Sequence, residues 1–126
     1  MTLVLDAGAL VAVERGDRKL LVRIKRQGLL GRPPRTHGGV VAQVWRGGSG
    51  RQALLAQVLA SVDVLPLDHE LGKRAGVLLG QAGAKDVIDA AVVLLAADDD
   101  RILTSDPDDL EPLAAASGRY VEIVRV

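Results

Sequence analysis

The chain has 126 residues, 48% of them hydrophobic, with no Cys, no Phe, one Trp and one Tyr, and 16 Lys or Arg balance 16 Asp or Glu. That length suits one domain, while the missing Cys excludes disulfides, thiolate zinc sites and cysteine nucleophiles, and His37 and His69 show no zinc-ligand spacing. No stretch approaches the roughly 20 apolar residues of a membrane helix, and the start lacks the basic-then-apolar pattern of a signal peptide, so a cytoplasmic location is expected.

Thr2-Leu3-Val4-Leu5 is a continuous apolar run that predicts a buried strand, and Asp6 ends it. Residues 7–15 predict a helix stopped by Gly16. Asp17 caps a second helix over residues 18–26, with Leu20, Leu21 and Ile24 on one face and Gly28 at its end. Gly31-Arg32-Pro33-Pro34 makes a loop. Thr36 or His37 opens a segment in which Val40, Val41 and Val44 share an apolar face. Residues 47–50 make a Gly-rich turn. Residues 52–60 predict an amphipathic helix and residues 62–67 a strand. Residues 71–79 predict a helix ended by Gly80, and residues 86–97 a strong one. Asp98-Asp99-Asp100 reads as a solvated loop, residues 101–104 as a strand, residues 110–116 as a helix and residues 120–126 as a closing strand. Helices between successive strands imply an α/β chain of a single domain, with a mostly parallel sheet covered on both faces.

The acidic residues carry the functional signal. Asp6 follows the first strand, Asp86 and Asp89 sit three apart at the head of a helix, and Asp106 follows the strand Arg101-Ile102-Leu103-Thr104. In an open parallel sheet, ligands gather past the carboxyl ends of the strands, and these acids converge there. Clustered carboxylates repel one another unless a hard cation lies among them, which points to a Mg²⁺ or Mn²⁺ site for phosphoryl chemistry. Each acid also has a plain structural alternative as a helix cap or a favourable charge at a helix N-terminus. Asp89 is assigned to the site and Asp86 to the cap or an outer position. Asp108 and Asp109 read as an ordinary helix start, and His37 and His69 as surface or hydrogen-bonded structural residues. Glu14 is expected to face water.

Charge is divided along the chain. Residues 1–51 carry ten Lys or Arg against three acids, and residues 52–126 six against thirteen. The basic half (Arg15, Arg18, Lys19, Arg23, Lys25, Arg26, Arg32, Arg35, Arg46, Arg51) is either the solvated face of helices or a cationic rim for a polyanion. With almost no aromatic residues, recognition would rest on backbone and shape contacts and not on base stacking.

Leu3-Val4-Leu5-Asp6-Ala7, Asp89-Ala90-Ala91-Val92-Val93 and Leu103-Thr104-Ser105-Asp106 together resemble the signature of PIN-domain ribonucleases, and the chain is most similar to VapC-type toxins of toxin–antitoxin pairs. The resemblance spans nearly the whole chain. It implies a three-layer α/β/α fold and an endoribonuclease that uses Mg²⁺ or Mn²⁺ to activate water against RNA phosphodiester bonds. It also implies a homodimer and a small antitoxin protein as partner. Asp6, Asp89 and Asp106 match the family's acids and would hold the metal, with Asp86 as a further metal-site acid. Thr104 and Ser105 would orient phosphate or water. Where the family has a Glu, the step Val41-Ala42-Gln43-Val44-Trp45 has Gln43. Its amide can still bind a metal-held water or a phosphate, but it brings no charge. The alternative reading is therefore a weakened PIN domain that binds RNA or protein without cutting. Phosphatase and receiver-type patterns fit less well, because Gly8 stands where a haloacid-type phosphatase has its second Asp.

Overall fold

The computed structural model describes residues 1–47 and 50–126. Its centre is β1 (Leu3–Leu5), whose three side chains are all buried, as a strand covered on both faces requires. Around it run α1 (Ala7–Glu14), α2 (Arg18–Leu29), β2 (Arg35–His37), α3 (Gly38–Val44), a 3₁₀ turn (Gly50–Gln52), α4 (Ala53–Leu59), β3 (Asp63–Leu65), α5 (His69–Ala82), α6 (Val87–Leu95), β4 (Arg101–Thr104), α7 (Pro107–Ser117) and β5 (Glu122–Arg125). The five strands form one sheet in the order β3-β2-β1-β4-β5, and every pairing is parallel. Helices α2, α3 and α4 pack on α1, while α5, α6 and α7 pack on one another. The result is a three-layer α/β/α fold. The chain runs outward from β1 to β2 and β3, then crosses to β4 and β5. The switch in direction therefore lies between β1 and β4.

Local chemistry explains where the elements begin and end. Asp6, Asp17, Asp68 and Asp86 each accept a backbone N–H three residues on, at 2.9–3.1 Å, and start α1, α2, α5 and α6. Two helices outrun their expected limits. Gly28 lies inside α2, which ends at Leu29, and Gly80 lies inside α5. An exposed glycine costs a helix only about 1 kcal/mol. What stops α5 is Gly83, whose left-handed backbone (φ 64°) turns its N–H back onto Leu79 O.

Strand β2 is absent from the sequence expectations, which only open a segment with an apolar face at Thr36 or His37. Its three residues have no periodicity of their own. They become a strand because Arg35, Thr36 and His37 pair with Asp63, Val64 and Leu65, and Arg35 with Val4. The turn expected over residues 47–50 includes residues 48 and 49, which lie outside the described residues.

The loop after α6 is also more than a solvated turn. Asp100 is buried, and its carboxylate accepts the N–H of Thr2 at 2.8 Å and of Ala97 at 2.9 Å. Asp98 accepts the N–H of Tyr120 at 2.8 Å. The loop thus ties the start of β1 to the approach of β5. Asp100→Ala removes a buried carboxylate to which two partly buried backbone N–H groups donate, and should lower stability by about 2 kcal/mol in urea denaturation. A change below about 0.5 kcal/mol, the size of an ordinary surface substitution, contradicts this role.

Candidate metal and phosphate site

Strand register fixes the site. Leu5 lies beside Leu103, and Asp6 N–H donates to Leu103 O at 3.3 Å. Asp6 therefore emerges next to Thr104, with Asp106 two residues further on. Both stand at the carboxyl edge, at the point where strand order switches. On the other side of β1, the Thr36 hydroxyl donates to Leu5 O at 2.8 Å and extends the β1–β2 contact to the last residue before Asp6.

Thr104 is fully buried and orders two acids at once. Its hydroxyl oxygen accepts the Asp106 N–H at 2.9 Å, and it hydrogen-bonds the Asp6 carboxylate. Ser105 is exposed. Gly8 lies so close to it that a Cβ on Gly8 would collide with the serine side chain. The Ser105 carbonyl accepts from Arg125 Nη1 at 3.1 Å, so a guanidinium from β5 sits at this turn.

Helix α6 brings the next pair. Asp86 caps it through the Asp89 N–H at 3.0 Å, and Asp89, one turn in, is half-buried. The first turn of α6 is held against β2 by His37. That ring is completely buried; Nδ1 accepts the Gly39 N–H at 3.1 Å and Nε2 donates to Ile88 O at 3.0 Å. Burial holds the imidazole below its usual pKa, which keeps Nδ1 free to accept. His37 is thus a hydrogen-bonded structural residue.

Electrostatics shows that the acids share one region. Burial, then the charges of Asp86, Asp6, Asp109 and Asp106, push the Asp89 carboxyl up to about 6. Burial also raises Asp6, against the lowering effect of its bonds to Thr104 and to the first turn of α1. Asp109 is raised chiefly by a hydrogen bond shared with the Asp106 carboxyl. Among the described residues the salt bridge is Arg101–Glu122, and none of these acids is paired with Lys or Arg. Nor, among the described residues, do three His, Cys, Asp or Glu side chains already converge closely enough to hold one metal ion.

The structure therefore gathers Asp6, Asp86, Asp89 and Asp106 within mutual electrostatic reach, as a loose cluster and not a closed cage. It adds Asp109, which sequence reasoning treated as a plain helix start. A signal for it was present: Asp106 and Asp109 repeat the spacing of Asp86 and Asp89 at a helix head. Gln43 makes no side-chain hydrogen bond to these acids among the described residues. It is exposed on α3, one turn beyond Gly39, which packs on Ile88, and so shares the face turned toward α6. Arg46 fastens the end of α3 by donating to the carbonyls of Ala42, Gln43 and Trp45 at 2.8–3.0 Å. Glu14 is half-buried beside Val44, Arg46 and Arg51 instead of facing open water. The basic residues of α2 begin at the far end of α1 from Asp6.

No protein-family model and no curated protein matches the chain.

The raised Asp89 has a measurable consequence. Between about 3.8 and 6 the folded chain keeps a proton that the unfolded chain has lost. Metal-free protein should therefore lose stability as pH rises through that window. Solvent screening reduces the share of this half-exposed group to about 1 kcal/mol. Asp89→Asn should flatten that pH dependence and raise the metal-free melting temperature at neutral pH by about 4 °C. An unchanged or lower melting temperature contradicts the electrostatic account.

Proposed function

We propose that this chain is a Mg²⁺- or Mn²⁺-dependent ribonuclease of the PIN type. One observation carries the reading: at the carboxyl edge of a parallel sheet, by its switch point, the Asp6, Asp89 and Asp109 carboxyls are raised by burial and by neighbouring acids, and among the described residues none of them is salt-bridged to Lys or Arg. A divalent ion fits this donor set. Hard oxygen ligands suit Mg²⁺, which keeps several waters and commonly takes only one or two carboxylates directly, so a loose cluster is adequate.

Asp6, Asp89 and Asp106 are the residues to hold the ion, with Asp86 and Asp109 completing the negative field. When bound, the ion supplies positive charge against phosphate oxygens and acidifies water at neutral pH. The chain's own groups do the rest. Thr104 fixes the Asp6 carboxylate and the Asp106 backbone relative to each other. Its hydroxyl is buried, so contact with phosphate falls to the exposed Ser105 hydroxyl. Asp86 anchors the turn that presents Asp89. Gln43, uncharged and on the face turned toward α6, can donate its amide to a phosphate oxygen or a water. Exposed arginines near the site hold flanking phosphates.

A second reading has its own support. Gln43 brings no negative charge and the acids form no ready cage, which suits a module that binds RNA or protein without cutting. End-labelled structured RNA incubated with Mg²⁺, Mn²⁺ or EDTA separates the two. The nuclease cleaves only with metal, and Asp6→Asn, which preserves the helix cap, lowers the rate at least about 100-fold. Binding that persists without cleavage under every metal favours the module instead.

The resemblance to VapC-type toxins extends the proposal to a homodimer neutralised by a small antitoxin. Expression of the chain alone should then slow bacterial growth, and the Asp6→Asn form should not. Unimpeded growth at high soluble expression contradicts the toxin role.

A further inference from the structure

The outward face of α1 is made by Gly8, Val11, Ala12 and Arg15, while Ala9, Leu10 and Val13 face the core. Alongside that face runs a groove of about 600 Å³, bordered also by Ser105, Asp17 and Val126. One end opens at Ser105, between the carboxylate cluster and the Arg125 guanidinium. The other reaches Arg15, roughly 13 Å from Asp6 by the rise of the helix. Val11 and Arg15 border a second cleft that leads on to Arg51. Arg15 and Arg51 are exposed, and neither makes a salt bridge among the described residues. The acids along the way are two. Asp17 is engaged as the cap of α2, accepting the Leu20 N–H at 3.1 Å, and Glu14 lines the second cleft.

We propose that this groove is the path by which one strand of RNA leaves the carboxylate cluster, with a backbone phosphate seated at Arg15. The inference rests on the ribonuclease reading and narrows ten candidate cations to one near anchor. The floor is small and uncharged at Gly8 and Ala12, so a sugar–phosphate backbone can lie directly against the helix. Cations stand at both ends, Arg125 beside Ser105 and Arg15 beyond. No aromatic residue lines it, so contacts are made to the backbone and tolerate any base.

Binding of a short fluorescein-labelled single-stranded RNA, with Ca²⁺ replacing Mg²⁺ to prevent cleavage, tests the path. Arg15→Gln should weaken binding about fivefold and reduce the slope of log affinity against log salt by about 0.7, the loss of one phosphate contact on a single strand. Ala12→Glu places a carboxylate on the floor and should weaken binding about tenfold, with melting curves confirming the fold. Arg74→Gln, on α5 in the opposite layer, should change neither affinity nor slope. Wild-type protein that cuts RNA while Arg15→Gln and Ala12→Glu bind like the Arg74 control overturns the path alone, and would leave the groove to a polypeptide. Wild-type protein that neither binds nor cuts RNA overturns the path together with the ribonuclease reading.

Discussion

The repulsion among carboxylates at the switch point of the sheet is the constraint on which the rest depends. A parallel sheet delivers the ends of β1 and β4 to one edge, and each delivers an acid there. Helix α6 adds two more at its N-terminus. The helix dipole and the capping bonds offset part of the cost at Asp6 and Asp86. They do not offset it at Asp89, whose carboxyl is pushed up to about 6. A fold that needed only stability would place no such group there. Strain of this kind at the ligand edge of an α/β sheet is what the proposed divalent ion would relieve.

The surrounding residues hold this arrangement against its own repulsion. Thr104 joins Asp6 to the turn carrying Asp106. Thr36 ties the last residue of β1 to β2, and His37 ties β2 and the start of α3 to the first turn of α6. All three are fully buried. Each bonds a backbone group or a carboxylate of the next element, so a shift in any one moves an acid. The apolar core behind them supplies the rigidity: α6 runs through Ala90, Ala91, Val92 and Val93, all buried between the sheet and its neighbouring helices.

Much of the fold was legible because β1, β4 and α6 are continuous apolar segments with acidic ends, and their local chemistry agrees with their final state. Strand β2 was hidden because three residues, all of them polar or charged, become a strand only through pairing with β3 and β1. The limits of α2 and α5 differ from the sequence expectation because an exposed glycine inside a helix does not by itself end it; α5 stops only where Gly83 turns left-handed. In the site, the acids at strand ends could be named from the sequence because Asp is a poor strand residue and wants a reason there. Arg125 and the tethers at Thr36 and His37 could not, since their places are set by contacts between elements far apart in the chain. Asp100 was misjudged for the same reason: three consecutive acids suggest solvent, but its partner is the first turn of backbone at Thr2.

The central claim is that Asp89 sits in a field of neighbouring carboxylates that a divalent ion relieves. Carbon-13 NMR titration of the Asp carboxyl groups, without and with Mg²⁺, tests it most directly. The account predicts that Asp89 titrates near 6 in the metal-free protein and falls to or below its ordinary value of 3.8 once Mg²⁺ is present, with Asp6 moving in the same direction. An Asp89 that titrates at its ordinary value in both conditions would contradict it.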